Sequence, residues 1–173
     1  SGAGKSWLAE RLVPQLPAIR LRSDVARKAL AGLDSAARTG SPVGGGIYTR
    51  QQSDAVFTYI ADIAEALLRD GDNVIVDATF IENARRAAFL ARARQLGVKA
   101  CVVYCKASVD TLRARIRARA SAGGDPSEAT QDVLDAQLSQ FEPPCAPEPV
   151  IEVATDSPLD NAGLRTLAAA ILT

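Results

Sequence analysis

The stretch Ser1-Gly2-Ala3-Gly4-Lys5-Ser6 constrains the fold of this chain more than any other. It fits the second half of the phosphate-binding pattern G-x-x-x-x-G-K-[ST]. Glycines in this pattern let backbone N–H groups close around phosphate oxygens, and the helix that follows points the positive end of its dipole at the anion. The residues after Ser6 have the amphipathic pattern of such a helix. The sequence therefore predicts a phosphate-binding loop that leads directly into a helix.

The motif also predicts roles for individual side chains. Lys5 can reach the β- and γ-phosphates of a nucleotide, and Ser6 can hold Mg²⁺. The alternative is a glycine-rich turn before an ordinary helix, which the immediate helical pattern disfavours. The predicted nucleotide-binding residues are Gly2, Ala3, Gly4, Lys5, Ser6 and Trp7.

Composition narrows the class of protein. The 173 residues are enough for one domain with a sizeable core, and a net charge of +0 predicts no general attraction to nucleic acid or membrane. The chain has no histidine, which excludes histidine bases and histidine metal sites. The three cysteines lack zinc spacing and are interpreted as buried, reduced thiols of a cytoplasmic protein. A chain that opens inside a motif and has no methionine suggests a slice of a longer protein, without the strand that feeds the loop.

Periodicity predicts strands that alternate with helices, which is typical of an α/β fold with a parallel sheet in a single domain over residues 1–173. Glycine and proline predict a long loop over Gly32–Gly46 and a mobile linker over Ser121–Pro126. The predicted strands are Ala18–Leu21, Asn73–Asp77, Ala100–Tyr104 and Val150–Ala154. The predicted helices are Lys5–Val13, Ser23–Leu30 with Ser23 as its N-cap, Thr49–Arg69, Glu82–Leu96, Ser108–Ala120, Ser127–Phe141 and Ser157–Leu172.

Polar residues follow two of these strands, at the edge where ligands of parallel sheets bind. Asp24 could take the proton of an acceptor hydroxyl, with Arg27 on the same helix face binding the substrate or steadying the carboxylate. The alternative is a helix acid that interacts with the dipole, paired with a surface arginine. Asp77 could join Ser6 around Mg²⁺, fix Arg27 or bind the acceptor, or it could cap the turn. Thr79 could contact substrate or serve as a cap.

Arginines supply the remaining candidates. At ~100° per residue, Arg115 and Arg119 lie on one flank of the buried stripe of their helix and Arg113 and Arg117 on the other. Arginines brought onto a transferring phosphate are what a closing lid needs, and we place this lid at about residues 113–130. At least two of the four are expected to be solvent-exposed. The pair Arg85-Arg86 could face an acceptor phosphate, but solvent is the preferred interpretation.

Together these pieces resemble the P-loop kinases of the nucleoside-monophosphate-kinase-like group. The segments Ser23–Arg27 and Asp77–Thr79 are similar to polynucleotide 5′-hydroxyl kinases, in which the matching Asp is the general base and the matching Arg contacts substrate phosphate. The segments Leu112–Arg119 and Phe141–Pro144 resemble gluconate kinase, in which the arginines matching Arg115 and Arg119 belong to the lid. Gluconate kinases carry a Gly-His-Phe after those arginines, which this chain lacks.

Over nearly the whole chain the resemblance is to bacterial AAA-type ATP-binding kinase domains that often follow an aminoglycoside-phosphotransferase-like domain in one polypeptide. It rests on Leu21–Asp24, Gly46–Tyr48, Val76–Phe80 and Gly123–Ala129. The resemblance implies a three-layer P-loop fold with strand order 2-3-1-4-5, strand 1 lying outside this chain, and a helical lid. It also implies a fused N-terminal phosphotransferase-like domain.

The sequence thus predicts an ATP-dependent phosphotransferase that moves the γ-phosphate of Mg-ATP to a small polyol or sugar-like acceptor, with Asp24 as general base. Lys5, Arg27, Arg115 and Arg119 complete the predicted catalytic set. The alternatives are a polynucleotide or nucleoside 5′-hydroxyl kinase and a regulatory ATP-binding module that transfers nothing. No cluster of basic and aromatic residues marks a single-strand channel, which disfavours nucleic acid as the partner.

Overall fold

A computed structural model of the chain describes residues 1–122 and 127–173, with the side chains of 121 and 122 outside the description. The predicted Gly123–Pro126 part of the linker lies outside the described residues, so the 113–130 lid is described only in part. The strands within these described ranges are β1 Ala18–Arg22, β2 Asn73–Asp77, β3 Val102–Lys106 and β4 Val150–Ala154. The helices are α1 Lys5–Leu12, α2 Ser23–Leu30, α3 Arg50–Arg69, α4 Asn83–Gln95, α5 Val109–Ala122, α6 Gln131–Gln140 and α7 Asn161–Leu172, with a 3₁₀ turn at Gly46–Tyr48.

The strands form two parallel pairs, which confirms the predicted α/β class. β1 pairs with β2 and β3 pairs with β4, so that Arg22 lies opposite Asp77 and Lys106 opposite Ala154. An apolar cavity of about 570 Å³ is lined by both β2 and β3. Since strand 1 of the expected order 2-3-1-4-5 lies outside this chain, β1 to β4 correspond to strands 2 to 5. Strands 2 and 3 are neighbours in that order, and so are strands 4 and 5, which agrees with the observed pairs.

The core holds the helices against the strands. Leu8 and Leu12 of α1 pack with Leu164 and Leu167 of α7 in one apolar cluster that also includes Val153. A second cluster joins α5 and α6 through Leu112, Ile116 and Leu134 and packs against Ala3. Because Ala3 belongs to the predicted phosphate loop, α5 is held directly over that loop.

Several predicted boundaries were wrong at helix starts. Ser23 is the first residue of α2 rather than its cap, because Arg22 still has extended backbone angles. α6 begins at Gln131 instead of Ser127, since the Thr130 side chain caps it by accepting from the Val133 N–H. α7 begins at Asn161 instead of Ser157, since Asp160 accepts from Gly163 in the same way. For α6 and α7, a better-placed cap lay three residues downstream of the predicted one.

The cysteines are free, but the expectation of burial holds for only part of the set. Cys105 is buried, Cys101 is intermediate and Cys145 is exposed, so the prediction was wrong for Cys145. Burial raises the pKa of Cys105 and of Cys101, which makes these thiols poorer nucleophiles. None of the helices in the described part of the chain is long and apolar enough to cross a membrane.

Candidate active site at the strand ends

The Gly-rich opening forms a tight loop that ends in the first turn of α1. Gly2 and Gly4 both have φ of 76°, a left-handed conformation that side chains with a Cβ rarely adopt. A Cβ on Gly2 would also lie 2.8 Å from the Leu112 carbonyl oxygen. Gly4 directly precedes α1, so Lys5 is the first helical residue. The loop therefore presents the free N–H groups of a helix start to any anion beside it.

A cavity of about 420 Å³ lies over this loop and brings most of the predicted residues together. Asp24 and Thr79 line it from the ends of β1 and β2, and Arg115 and Arg119 line it from α5. Lining residues from the predicted set are Gly2, Gly4, Lys5, Ser6, Trp7, Asp24, Asp77, Thr79, Arg115 and Arg119. The carboxyl ends of the strands therefore meet the loop in one concave site, as the parallel-sheet rule predicts.

Backbone carbonyl groups hold Arg115 in the cavity wall. Its guanidinium donates to the Gly2 carbonyl at 3.3 Å, to the Thr155 carbonyl and to the Asp156 carbonyl at 3.3 Å. The Thr155 hydroxyl in turn donates to the carbonyls of Ala3 and Lys106, at 3.0 and 2.9 Å. Thr155 thus ties the phosphate loop to the strand ends, and backbone carbonyl groups hold the Arg115 guanidinium beside that loop.

The start of α5 is anchored from the β4 side by Asp156. Its Oδ1 accepts from the Ser108 N–H, the Ser108 hydroxyl and the Thr111 hydroxyl, at 2.9, 2.8 and 2.7 Å. These hydrogen bonds lower the pKa of Asp156 to about 2. The anchor fixes the rotation of α5, and with it the cavity-facing side of the helix. On that helix Arg113 and Arg117 are exposed, as expected, and Arg113 pairs with Asp135 at 3.0 Å.

Arg27 does not line this cavity. It is 8 % exposed, and its Nη1 donates to the Ile47 carbonyl at 2.9 Å and to the Ser53 hydroxyl at 3.2 Å. The guanidinium also stacks on the Tyr48 ring, 4.8 Å from its centroid. Burial, followed by the charges of Asp24 and Glu128, raises the pKa of Tyr48 to about 12 despite Arg27. Arg27 and Tyr48 therefore form a wall close to Asp24.

Asp77 is buried at the end of β2 and is paired with Arg20. The Arg20 Nη2 lies 2.5 Å from Asp77 Oδ2, and Arg22 Nε lies 3.8 Å from the same oxygen. Arg20 and Arg22 point to one side of β1 because alternate strand residues share a face. The structure thus pairs Asp77 with Arg20 and not with Arg27. The sequence signal was two arginines spaced by two on a strand beside a buried carboxylate.

The residues present fit a magnesium ion bound with a nucleotide. Ser6 and Asp77 line the same cavity, and Mg²⁺ in nucleotide sites takes one or two protein ligands and completes its shell with phosphate and water. No group of three or more Asp, Glu, Cys or His side chains in the described ranges could hold a metal without such help. The hydroxyl and the carboxylate are therefore sufficient only when phosphate oxygens are also present.

The polar residues after β2 differ in whether they line the cavity or are buried in ion pairs. Thr79 lines the cavity and does not cap α4, whose N-cap is Glu82. Arg86 is only 2 % exposed, so the solvent interpretation was wrong for it. Its Nε donates to Glu148 at 2.8 Å and its Nη1 to the Phe80 carbonyl at 3.0 Å. Arg85 is largely covered and pairs with Asp54 at 2.7 Å.

Two buried charges near the site were missed by sequence reasoning. Lys28 is fully buried, and its Nζ lies 3.6 Å from the Glu128 carboxylate. The same carboxylate accepts hydrogen bonds from Thr39 and Gly40 in the long loop. A lysine in the last turn of a helix normally favours solvent, so the sequence held no local signal for this pair.

Comparison with known proteins supplies the family. The profile described as AAA domain matches residues 1–144. The Mycobacterium tuberculosis protein Rv2004c is 32 % identical over 137 residues, which cover 78 % of this chain. The match covers 26 % of Rv2004c, so the chain spans about a quarter of the length of the curated relatives it matches.

Solved structures agree on the fold. A sugar kinase from Janibacter sp. HTCC2649 superposes with a TM-score of 0.71 at 16 % identity, over 99 % of this chain and 89 % of the other. A gluconokinase from Sinorhizobium meliloti 1021 gives 0.66 at 19 % identity, over 99 % and 91 %. The Mycobacterium tuberculosis APS kinase CysC, solved with AMPPNP and APS, gives 0.66 at 17 % identity, over 99 % and 90 %.

Proposed function

Because the chain belongs to the AAA domain family and has the fold of P-loop kinases, we propose that it is an ATP-dependent phosphotransferase with a small polyol or sugar-like acceptor. The observation that supports this most is the single cavity in which the phosphate loop, Asp24 and two arginines meet. A site that only stored nucleotide would not need a carboxylate opposite the loop. The sugar kinase and the gluconokinase among similar structures favour a hydroxyl acceptor of that kind.

In this proposal each residue either neutralises phosphate charge or positions a reacting group. Lys5 and the N–H groups at the start of α1 neutralise the β- and γ-phosphates. Ser6 and Asp77 would hold Mg²⁺, which supplies charge neutralisation between the phosphates when bound. Arg115 stands ready to stabilise charge on the transferring group, because its backbone contacts fix it beside Gly2. Arg119 shares that cavity wall and takes the same role.

Asp24 is the proposed general base. It lies in the first turn of α2 and lines the cavity together with Lys5 and Ser6, so an acceptor hydroxyl placed beside it faces the phosphate loop. Its task is to orient the hydroxyl and accept its proton as transfer proceeds, since phosphoryl transfer depends mainly on positioning and electrostatics. Arg27 serves the acceptor through Tyr48 and the Ile47 carbonyl, as part of the wall behind Asp24.

The experiment follows labelled γ-phosphate from Mg-ATP, using the full-length protein that contains this chain. One pool holds sugars and polyols including aminoglycosides, and the other holds 5′-hydroxyl oligonucleotides. Asp24→Asn should keep ATP binding and lower kcat about 10²–10⁴-fold. Asp132→Asn is the matched control, because Asp132 is also an acid in a first helical turn but does not line the cavity.

Each outcome distinguishes between the proposed function and its alternatives. Label in the sugar pool that disappears in Asp24→Asn supports the proposal. Label confined to oligonucleotides would replace it with a 5′-hydroxyl kinase. Bound ATP without transfer to either pool would instead favour a regulatory module, which would serve a fused phosphotransferase-like domain of the kind that the family resemblance implies. Transfer that is equal in Asp24→Asn and wild type would remove Asp24 from the mechanism.

A further inference from the structure

Glu128 joins two parts of the molecule that are distant in sequence. Its Oε2 accepts from the Thr39 N–H at 2.9 Å, from the Thr39 hydroxyl at 2.9 Å and from the Gly40 N–H at 3.2 Å. Its Oε1 is buried and faces Lys28 Nζ at 3.6 Å. One carboxylate therefore fastens the long loop after α2 to the helix that carries Asp24.

The charges on both sides of this contact are buried. Lys28 is fully buried and donates to the Ser35 carbonyl at 2.9 Å, so it holds the beginning of the same loop. The Glu128 side chain is 9 % exposed. Burial alone would raise the pKa of Glu128, but the hydrogen bonds from Thr39 and Gly40 together with the Lys28 charge lower it. The carboxylate thus stays ionised where it holds the loop.

The position of Glu128 connects the nucleotide side of the site with the acceptor side. Ser127, the preceding residue, lines the cavity over the phosphate loop. On the other side, the Thr39 hydroxyl lies 2.8 Å from the Ser41 hydroxyl, which accepts from the Ile47 N–H at 3.4 Å. Ile47 directly precedes Tyr48, which packs on Arg27. A single peptide bond therefore separates a residue of the nucleotide cavity from the anchor of the acceptor wall.

We infer that Glu128 is a positioning residue for the acceptor: it fixes the Thr39–Gly40 loop against Lys28, so that the wall formed by Tyr48 and Arg27 stands beside Asp24. This inference rests on the proposed phosphotransfer at the same site. The Glu128 carboxylate is not assigned to either reacting group, because the contacts described for this side chain are with Lys28, Thr39 and Gly40. Its loss should therefore weaken binding of the acceptor and leave binding of ATP nearly unchanged.

The kinetic test compares Glu128→Leu with wild type in the full-length protein. Losing several hydrogen bonds to a charged group is expected to raise the acceptor KM about tenfold or more, while the KM for ATP changes less than about twofold. Glu128→Leu removes the hydrogen bonds to the loop and also leaves the buried Lys28 charge unpaired. The double variant Lys28→Met/Glu128→Leu distinguishes these two effects, because it leaves no unpaired buried charge. A raised acceptor KM in the double variant supports anchoring. A return to the wild-type KM overturns it.

A second readout does not depend on activity. Arg38 is exposed and directly precedes Thr39, so trypsin cleavage after Arg38 reports how firmly the loop is held. Cleavage should be faster in Glu128→Leu and unchanged in Glu152→Gln, a control that alters only an exposed pair with Lys106. If wild type transfers no phosphate, the proposed function fails, whereas faster cleavage still supports the anchor. Unchanged cleavage together with an unchanged acceptor KM refutes the inference.

Discussion

The buried pair of Arg86 and Glu148 gives the sharpest stability prediction. The two side chains are 1 % and 7 % exposed, and both Glu148 oxygens accept from Arg86, at 2.8 to 3.3 Å. Arg86→Met would leave the Glu148 carboxylate buried without its cation and would remove the donor to the Phe80 carbonyl. Breaking one side of a buried pair costs about 3–5 kcal/mol. That is a large share of the ~5–15 kcal/mol that stabilises a typical domain.

The assay is urea unfolding followed by far-UV circular dichroism. With a slope of about 2 kcal/mol per molar urea, the midpoint of unfolding should fall by roughly 2 M in Arg86→Met. Arg69→Met is the matched control, because Arg69 is 64 % exposed and pairs with Glu65 on the same helix, a contact of about 0.3–0.5 kcal/mol.

A double variant distinguishes the pair from simple packing. Arg86→Met/Glu148→Leu removes both charges and should recover much of the lost free energy of unfolding, because no buried charge is left unpaired. If Arg86→Met costs no more than Arg69→Met, the burial argument is wrong. If the double variant costs as much as the two single variants added together, the contacts of Arg86 with Phe80 and with its apolar surroundings, not the ion pair, carry the stability.

Three further predictions concern the loop and its surroundings. Gly2→Ala should weaken ATP binding, measured by calorimetry, and lower the free energy of unfolding by about 1–2 kcal/mol, because φ is 76° and the new Cβ meets the Leu112 carbonyl. Unchanged values of both quantities would contradict the argument from backbone strain. Thr155→Val should lower ATP affinity, since the hydroxyl no longer ties Ala3 to the strand ends, and a Thr155→Ser variant should restore it. A phenol absorbance titration should find a Tyr48 pKa of about 12 that is absent in Tyr48→Phe. Because the folded pKa is raised, the stability from Tyr48 is present below pH ~10 and is lost as the pH rises towards 12.

Sequence patterns predicted those parts of the fold and of the candidate site that depend on residues close together in the sequence. The strand Asn73–Asp77 was predicted with its observed bounds, because an apolar run ends there in a charged residue. The phosphate loop was predicted because its glycines answer a conformational requirement of the backbone. Asp24 and Thr79 were found by the rule that ligands bind at the carboxyl ends of parallel strands, and both line the cavity.

The parts that were missed depend on contacts between distant segments. Lys28 has a solvent-type pattern in the sequence, yet the loop after α2 folds back and buries it completely. Arg86 meets Glu148 across 62 positions, and Arg20 meets Asp77 across 57. Such pairs arise from the path of the chain in three dimensions, which hydrophobic period and turn residues do not encode. The roles of all predicted catalytic residues stay predictions: Lys5, Asp24, Arg27, Arg115 and Arg119.

The distribution of charge around the cavity over the phosphate loop has a consequence for how a charged ligand would reach it. The cavity is lined by the cations Lys5, Arg115 and Arg119 and by the carboxylates Asp24 and Asp77, in a chain whose net charge is +0. At physiological salt, fields between exposed charges fade over about 8 Å. A polyanionic nucleotide would therefore meet attraction only at the mouth of the cavity, and its association rate should depend weakly on ionic strength. Binding of the nucleotide would depend on short-range contacts with the loop rather than on long-range electrostatic attraction.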